Sequence, residues 1–223
     1  METQLNSNCW YKDVCKQPTC QENCMIYTQL KWQMNNSGLP ECKQAPISLY
    51  ITQNNKCDKP VFTILGDIRK NIVSFVQEGG NLCLTSKYTG NGKTSWAIKL
   101  LQTYLHYTAG GNYENLKGMF VSVPEFLLKL KDFNNPISNT YKQRLQNVDL
   151  VVWDEVALTG VTPYDYNQLY VYIETRMMAG KANIFTCNYS TQEELEQVLG
   201  SRLTSRIWNS SQVLEFKGMD ERG

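Results

Sequence analysis

Beyond residue 60 the chain alternates between short, almost unbroken apolar runs and longer stretches whose apolar residues recur every three or four positions. Asp67 to Gln77 carries Ile68, Ile72, Val73 and Val76 at helical spacing and stops at Gly79-Gly80, which predicts a single helix. Asn81 to Thr85 reads as a short buried strand. A glycine-bearing turn follows, then a helix whose Ala97, Leu100, Leu101, Tyr104 and Leu105 form an i, i+3, i+4, i+7, i+8 stripe. Met119 to Val123 is a second strand, and Pro124 opens a helix carrying Phe126, Leu127 and Leu130. Val148 to Trp153 is a third strand, apolar on both faces as in sheets covered by helices on each side. A long helix is expected over Tyr164 to Met178, ending at Gly180, and a fourth strand over Asn183 to Cys187. Ser190, three residues before Glu193, forms a capping box for the next helix. Strictly alternating strands and helices predict an α/β fold: a three-layer αβα sandwich around a parallel sheet.

Residues 1–60 have a different character. They are polar, rich in Asn, Gln and Cys, and interrupted by Pro18, Pro40, Pro46 and Pro60; Met25 to Met34 reads as their one short helix, ended by Asn35-Asn36-Ser37-Gly38. The expected organisation is therefore a cysteine-rich, partner-binding unit over 1–60 and an α/β unit over 61–223. Trp10, Tyr11, Met25, Ile26, Tyr27, Leu30, Trp32 and Met34 crowd together in the first unit. Aromatics and methionine at that density suit a protein-binding surface.

Of eight cysteines, Cys9, Cys15, Cys20, Cys24, Cys42 and Cys57 lie in this first stretch. In a reducing compartment such a cluster points to metal rather than to disulfides. Cys9, Cys15, Cys20 and Cys24 supply four thiolates for one tetrahedral Zn²⁺, with Cys42 and Cys57 as substitutes, although their spacing misses the usual paired arrangement. A staple of this kind is what a short polar segment without a core needs.

Charge narrows the partners. Lys and Arg number 22 against 21 acids, a formal charge of +1, so contact with nucleic acid has to be local and weak. No apolar run approaches the roughly 18–20 residues of a membrane span, and the opening Met-Glu-Thr-Gln has no signal-peptide pattern, so a soluble, cytoplasmic protein without membrane contact is expected.

Between the first strand and its helix lies Lys87-Tyr-Thr-Gly90-Asn91-Gly92-Lys93-Thr94-Ser95. Gly90 to Thr94 fits G-x-G-K-T, in which backbone N–H groups and a helix start cradle phosphates. Lys93 would hold the β- and γ-phosphates of ATP, and the Thr94 hydroxyl would hold Mg²⁺. Lys87 stands where the full pattern has glycine. The third strand runs into Asp154-Glu155; acids at a buried strand end need a partner or a cation. Asp154 would join the Mg²⁺ shell and Glu155 would activate the attacking water. Asn188, closing the fourth strand, suits either a γ-phosphate contact or a plain turn. Arg202 and Arg206 lie four apart on one helix face, which fits a solvated basic face as well as an anion on a neighbouring subunit.

The motifs Gly90-Asn-Gly-Lys-Thr94, Val151-Val-Trp-Asp-Glu155, Phe185-Thr-Cys-Asn188, Leu199-Gly-Ser-Arg-Leu-Thr-Ser-Arg206 and Phe216 to Arg222 occur in this order. From Asn81 to Arg222 the chain resembles the AAA+ helicase loaders of the DnaC/DnaI type, with the transposition ATPase IstB as a cousin. The resemblance implies an AAA+ ATPase without a separate helical lid, with Walker A at Lys93 and Thr94, Walker B at Asp154 and Glu155, and sensor 1 at Asn188. It further implies an arginine finger at Arg206, sensor 2 at Arg222, and an ATP-dependent homo-oligomer. Its expected task is to deliver a replicative ring helicase to single-stranded DNA, with the N-terminal unit holding the helicase. A nucleotide-gated adaptor of low turnover and a transposition ATPase are the competing expectations.

Overall fold

The computed structural model describes residues 9–12, 15, 20, 24–110, 115–131, 138–157 and 162–220. Five strands, β1 (Asn81–Thr85), β2 (Gly118–Ser122), β3 (Leu150–Asp154), β4 (Ala182–Cys187) and β5 (Gln212–Glu215), form one parallel sheet in the order β2-β3-β4-β1-β5. Because strand side chains alternate, each strand feeds two cores. Leu82, Leu84, Leu150, Val152 and Ile184 meet one helical layer, α1 (Met25–Asn36), α2 (Lys59–Lys70), α3 (Ile72–Gln77) and α4 (Lys93–Thr108). Cys83, Val151, Trp153 and Phe185 meet the other, α5 (Val123–Lys131), α6 (Asn139–Asn147), α7 (Pro163–Met178), α8 (Gln192–Leu199) and α9 (Ser201–Thr204). The expected three-layer αβα fold is what the chain adopts.

Three local details differ from the sequence reading. The helix expected over Asp67–Gln77 begins earlier, at Lys59, and is broken at Asn71, whose φ of −107° and ψ of 23° leave the helical region. The Asn71 side chain donates to the Asp67 carbonyl at 3.1 Å, the local competition that makes asparagine a poor interior helix residue. The capping box falls one residue later, on Thr191 and Glu194: the Glu194 N–H donates to Thr191 Oγ1 and the Thr191 N–H to Glu194 Oε2. Ser190 still contributes, its N–H donating to the same carboxylate at 3.1 Å. Finally, β5 is a four-residue edge strand, too short for its alternation to stand out.

Before residue 60, α1 and Leu39 share this core. Leu30 and Met34 of α1 are fully buried in one cluster with Leu65 and the apolar face of α4. Gln33 ties α1 to the lead-in of β2, donating to the Asn115 carbonyl at 3.0 Å and accepting from the Lys117 N–H at 2.9 Å. Of the crowded apolar set, Met25 (75% exposed) and Trp32 (39%) face outward. Trp10 meets Tyr27 edge to face at 6.1 Å.

The zinc expectation finds no support. Burial raises the Cys9 pKa, the Tyr11 N–H pulls it back, and Cys20, Cys24 and Cys15 lie near enough for their charges to raise it a little further. Among the described residues, however, no group of three or more His, Cys, Asp or Glu side chains could hold a metal ion. Unequal spacing gives no paired thiols on one turn, and Cys9 Sγ instead accepts the Tyr11 N–H at 3.4 Å. No helix among the described residues is long and apolar enough to cross a membrane.

Candidate nucleotide site

The sheet order sets the site. From β1 the chain crosses to β2 at the far edge, whereas from β4 it crosses past β1 to β5. Connections therefore diverge between β1 and β4, and a crevice opens beyond their carboxyl ends. The turn leaving β1 is the glycine loop. Gly90 and Gly92 have φ of 71° and 95°, conformations that a side chain rarely allows, and α4 starts at Lys93 directly after them. The loop thus aims backbone N–H groups and a helix start at the crevice.

The β3 acids arrive on the same side. Asp154 Oδ1 accepts from Thr94 Oγ1 at 2.8 Å and from Thr186 Oγ1 at 2.7 Å. Loop helix, β3 and β4 thereby meet on one carboxylate oxygen. Burial pushes the Asp154 pKa up, while the two hydroxyls and the charge of Lys93 pull it down, leaving it raised. Thr186 also accepts the Glu155 N–H at 2.9 Å. Glu155, with φ of 57°, is the only non-glycine residue at positive φ among the described residues, and its side chain lines the cleft. Strain of this kind persists where surrounding bonds enforce it. Lys93 is buried and folded back on its own loop, donating to the Tyr88 carbonyl at 2.8 Å and to Asn91 Oδ1 at 3.1 Å.

The cleft has a volume of about 630 Å³, within the range of small-molecule sites. Gly90, Asn91, Gly92, Lys93, Thr94, Ser95, Glu155, Thr186 and Asn188 are among its lining residues, and Leu49, Tyr50, Phe62 and Trp96 bring apolar surface. The structure thus gathers most of the expected nucleotide residues at one place. Asp154 sits at the rim through Thr94. Arg206 lies elsewhere: its Nε and Nη2 fork onto the Glu174 carboxylate of α7, the second bond at 2.8 Å, and Glu174 raises its pKa further. Arg202 and Arg206 do not share a regular helix, because α9 gives way to a π-helical turn, Ser205–Asn209. Arg222 lies outside the described residues.

Two contributors escaped the sequence reading. Thr186 is one, and a hydroxyl inside the apolar run Phe185-Thr186-Cys187 was its only signal. The other is the strap from Lys43 to Asn55. Buried Gln102 of α4 donates to the Lys43 and Ala45 carbonyls, both at 2.7 Å, and accepts the Ile47 N–H at 3.1 Å. Lys99 donates to the Ile47 carbonyl at 2.6 Å. These bonds bring Ser48, Tyr50 and Asn55 to the cleft. The available clue was an amide directly beside the apolar stripe of α4.

Hard oxygen ligands suit Mg²⁺, and the Thr94 hydroxyl and Asp154 carboxylate lie side by side as a hydroxyl–carboxylate pair for it. A parallel sheet with the glycine loop leaving β1, one strand in from the edge, and the acids two strands away at the end of β3 is the layout of a P-loop αβα fold. The DnaC helicase loader has this fold over 75% of the present chain and 94% of its own, with a TM-score of 0.60 at 21% identity. For DnaI the shares are 85% and 99%, with a TM-score of 0.65 at 16% identity. AMPPCP-bound DnaA from Aquifex aeolicus aligns over 75% of this chain and 48% of its own, with a TM-score of 0.56 at 17% identity. At these identities the likeness is one of fold. By sequence, no family model and no curated protein matches the chain.

Proposed function

We propose that the protein is an Mg²⁺-dependent ATPase that acts in DNA replication, binding a replicative ring helicase and delivering it to single-stranded DNA. The observation that carries the nucleotide part is the Thr94–Asp154–Thr186 junction, which couples the phosphate loop to the β3 acids through a single carboxylate oxygen. Lys93 leaves the Tyr88 carbonyl to meet the β- and γ-phosphates, and its charge stabilises them in the ground state. Thr94 and Asp154 would hold Mg²⁺, which would supply positive charge against that building on the phosphates. Glu155 orients and deprotonates the attacking water, and Asn188 donates to the γ-phosphate or to that water. The base packs against the apolar lining residues Leu49, Phe62 and Trp96.

The assignment to replication rests on the fold shared with DnaC and DnaI. Helicase binding falls to the region before residue 60, where Met25 and Trp32 remain exposed after Leu30 and Met34 have entered the core. The chain assembles as a homo-oligomer with ATP, Arg206 exchanging Glu174 for a neighbour's phosphates, and Arg222 keeps the sensor 2 role that the resemblance implies. Zinc has no part in this reading. The test compares full-length variants. Lys93→Ala abolishes MgATP binding, whereas Glu155→Gln keeps binding and loses turnover, because the lysine acts on the ground state and the glutamate only on the reacting water. Equal affinity in wild type and Lys93→Ala would sink the assignment. Failure of the full chain to retain a ring helicase in the presence of MgATP removes the loader role and leaves the ATPase.

A further inference from the structure

Asp58 stands at the N-terminus of α2, the place where an aspartate ordinarily caps its own helix, yet it makes no side-chain cap bond. Its carboxylate is 1% exposed and turned the other way. Oδ1 accepts the Lys217 N–H at 2.6 Å, and Oδ2 accepts the Gly218 N–H at 3.0 Å. A buried carboxylate is costly unless such donors satisfy it, so these contacts are a condition of Asp58 lying there. The segment after β5 is held again one residue further on, where the Met219 N–H donates to the Asn54 carbonyl at 3.2 Å. Gly218 fits only without a side chain. A Cβ there would fall 2.7 Å from Asp58 Oδ2 and 3.0 Å from the Asn54 carbonyl oxygen.

The other face of the same residue meets the phosphate loop. Asn91 donates to the Gly218 carbonyl at 3.3 Å and to Ser86 Oγ at 2.6 Å, and its Oδ1 accepts from Lys93 at 3.1 Å. One continuous set of hydrogen bonds therefore runs from Asp58, through the backbone of Lys217 and Gly218, to Asn91 and Lys93. Asn91 is 1% exposed, so its amide has no water with which to replace these partners.

We infer that Asp58 is a positioning residue of the nucleotide site: it holds the segment after β5 against Asn91, and that contact keeps the phosphate loop in its binding geometry. The inference rests on the nucleotide reading of the cleft. Coupling of this kind is reciprocal, so nucleotide binding also tightens the hold on Lys217 and Gly218.

The experiment uses the full chain with MgATP as the probe. Affinity is measured by calorimetry on wild type, Asp58→Asn, Gly218→Ala and the double variant, alongside their melting temperatures without nucleotide. Amide exchange is followed over residues 217–220 with and without MgATP. Asp58→Asn and Gly218→Ala each weaken MgATP binding by about tenfold or more, as loss of an outer-shell partner does elsewhere. The double variant is no worse than either single one, since both break the same chain of bonds. In wild type MgATP slows exchange at 217–220; in both single variants exchange there is fast and insensitive to nucleotide. Folded variants with wild-type affinity, or slowing that survives in them, overturn the inference while leaving the nucleotide reading intact. A wild type that binds no MgATP overturns both. Should Asp58→Asn fail to fold, Gly218→Ala carries the test, because its site follows the last strand.

Discussion

Replacing Thr186 with valine keeps the shape of the side chain and deletes one hydroxyl. That hydroxyl is 1% exposed and serves two partners, donating to Asp154 and accepting from the Glu155 N–H. A bond to a charged group contributes about 1.5–3 kcal/mol, and an orphaned buried N–H costs about 1–3 kcal/mol. Asp154 keeps its bond from Thr94 and Glu155 is partly solvated, which discounts the simple sum and leaves about 2–4 kcal/mol. With a urea m-value of about 2 kcal/mol/M, the middle of the usual range, the unfolding midpoint falls by about 1–2 M.

The loss also depends on pH. Burial already raises the Asp154 pKa above its ordinary 3.8, and the Thr186 hydroxyl is the leading influence pulling it back. Without that hydroxyl the folded-state pKa climbs further, so ionised Asp154 is penalised more. The excess destabilisation is full above the folded pKa and shrinks as pH falls through it, because the protonated acid no longer relies on the missing donor. Since Mg²⁺ needs the carboxylate, MgATP binding in the variant fails at a higher pH than in wild type. Urea unfolding and calorimetric MgATP titrations across the acid range measure both effects. An unchanged midpoint together with an unmoved pH profile would refute the role assigned to Thr186.

Leu30→Ala should destabilise the whole α/β unit by about 2–5 kcal/mol, because the side chain is fully buried against α4; thermal melting of the variant checks this, and an unchanged melting temperature excludes a shared core. Arg206→Ala should bind MgATP normally but turn it over slowly, an arginine finger contributing about 10³-fold or more. Mixing it with Lys93→Ala should restore part of the turnover in a steady-state assay, because one intact site forms between the two subunits; no recovery rules out action in trans.

The alternation of apolar runs and 3.6-residue stripes made both layers of the fold legible, since each strand had to satisfy two helical faces. The polar end of the cleft was legible for a related reason. Gly92, Lys93 and Thr94 are neighbours in sequence, and Asp154 and Glu155 end a run that has no other cause to become acidic. What stayed hidden depends on long-range contacts. Gln102 looks like one more polar residue on a helix until the strap from Lys43 lies across it. Asp58 lies ahead of the helix that the sequence predicts, and only its distant partners Lys217 and Gly218 give it a role. Leu30 and Met34 were visible as a dense apolar cluster, but density alone could not separate residues that enter a core from those left outside, Met25 and Trp32. The four cysteines suggested a metal through composition, and among the described residues no group of side chains that could hold one supports it.

The strand order also bears on how the chain folds as it is made. β1 carries the phosphate loop, yet both of its neighbours are synthesised late: Asn81 pairs with Asn183 of β4, and Leu82 with Gln212 of β5. Until then β1 has two bare edges and its loop has no opposing acid-bearing wall, since β3 reaches it only through β4. Such remote parallel pairings form slowly, because a long loop must close before any contact repays the lost entropy. On the ribosome the first element of the nucleotide site is therefore among the last to be enclosed. In the interval, the apolar Leu82 and Leu84 rely on α4 for cover, which makes that helix the early guardian of an unfinished sheet.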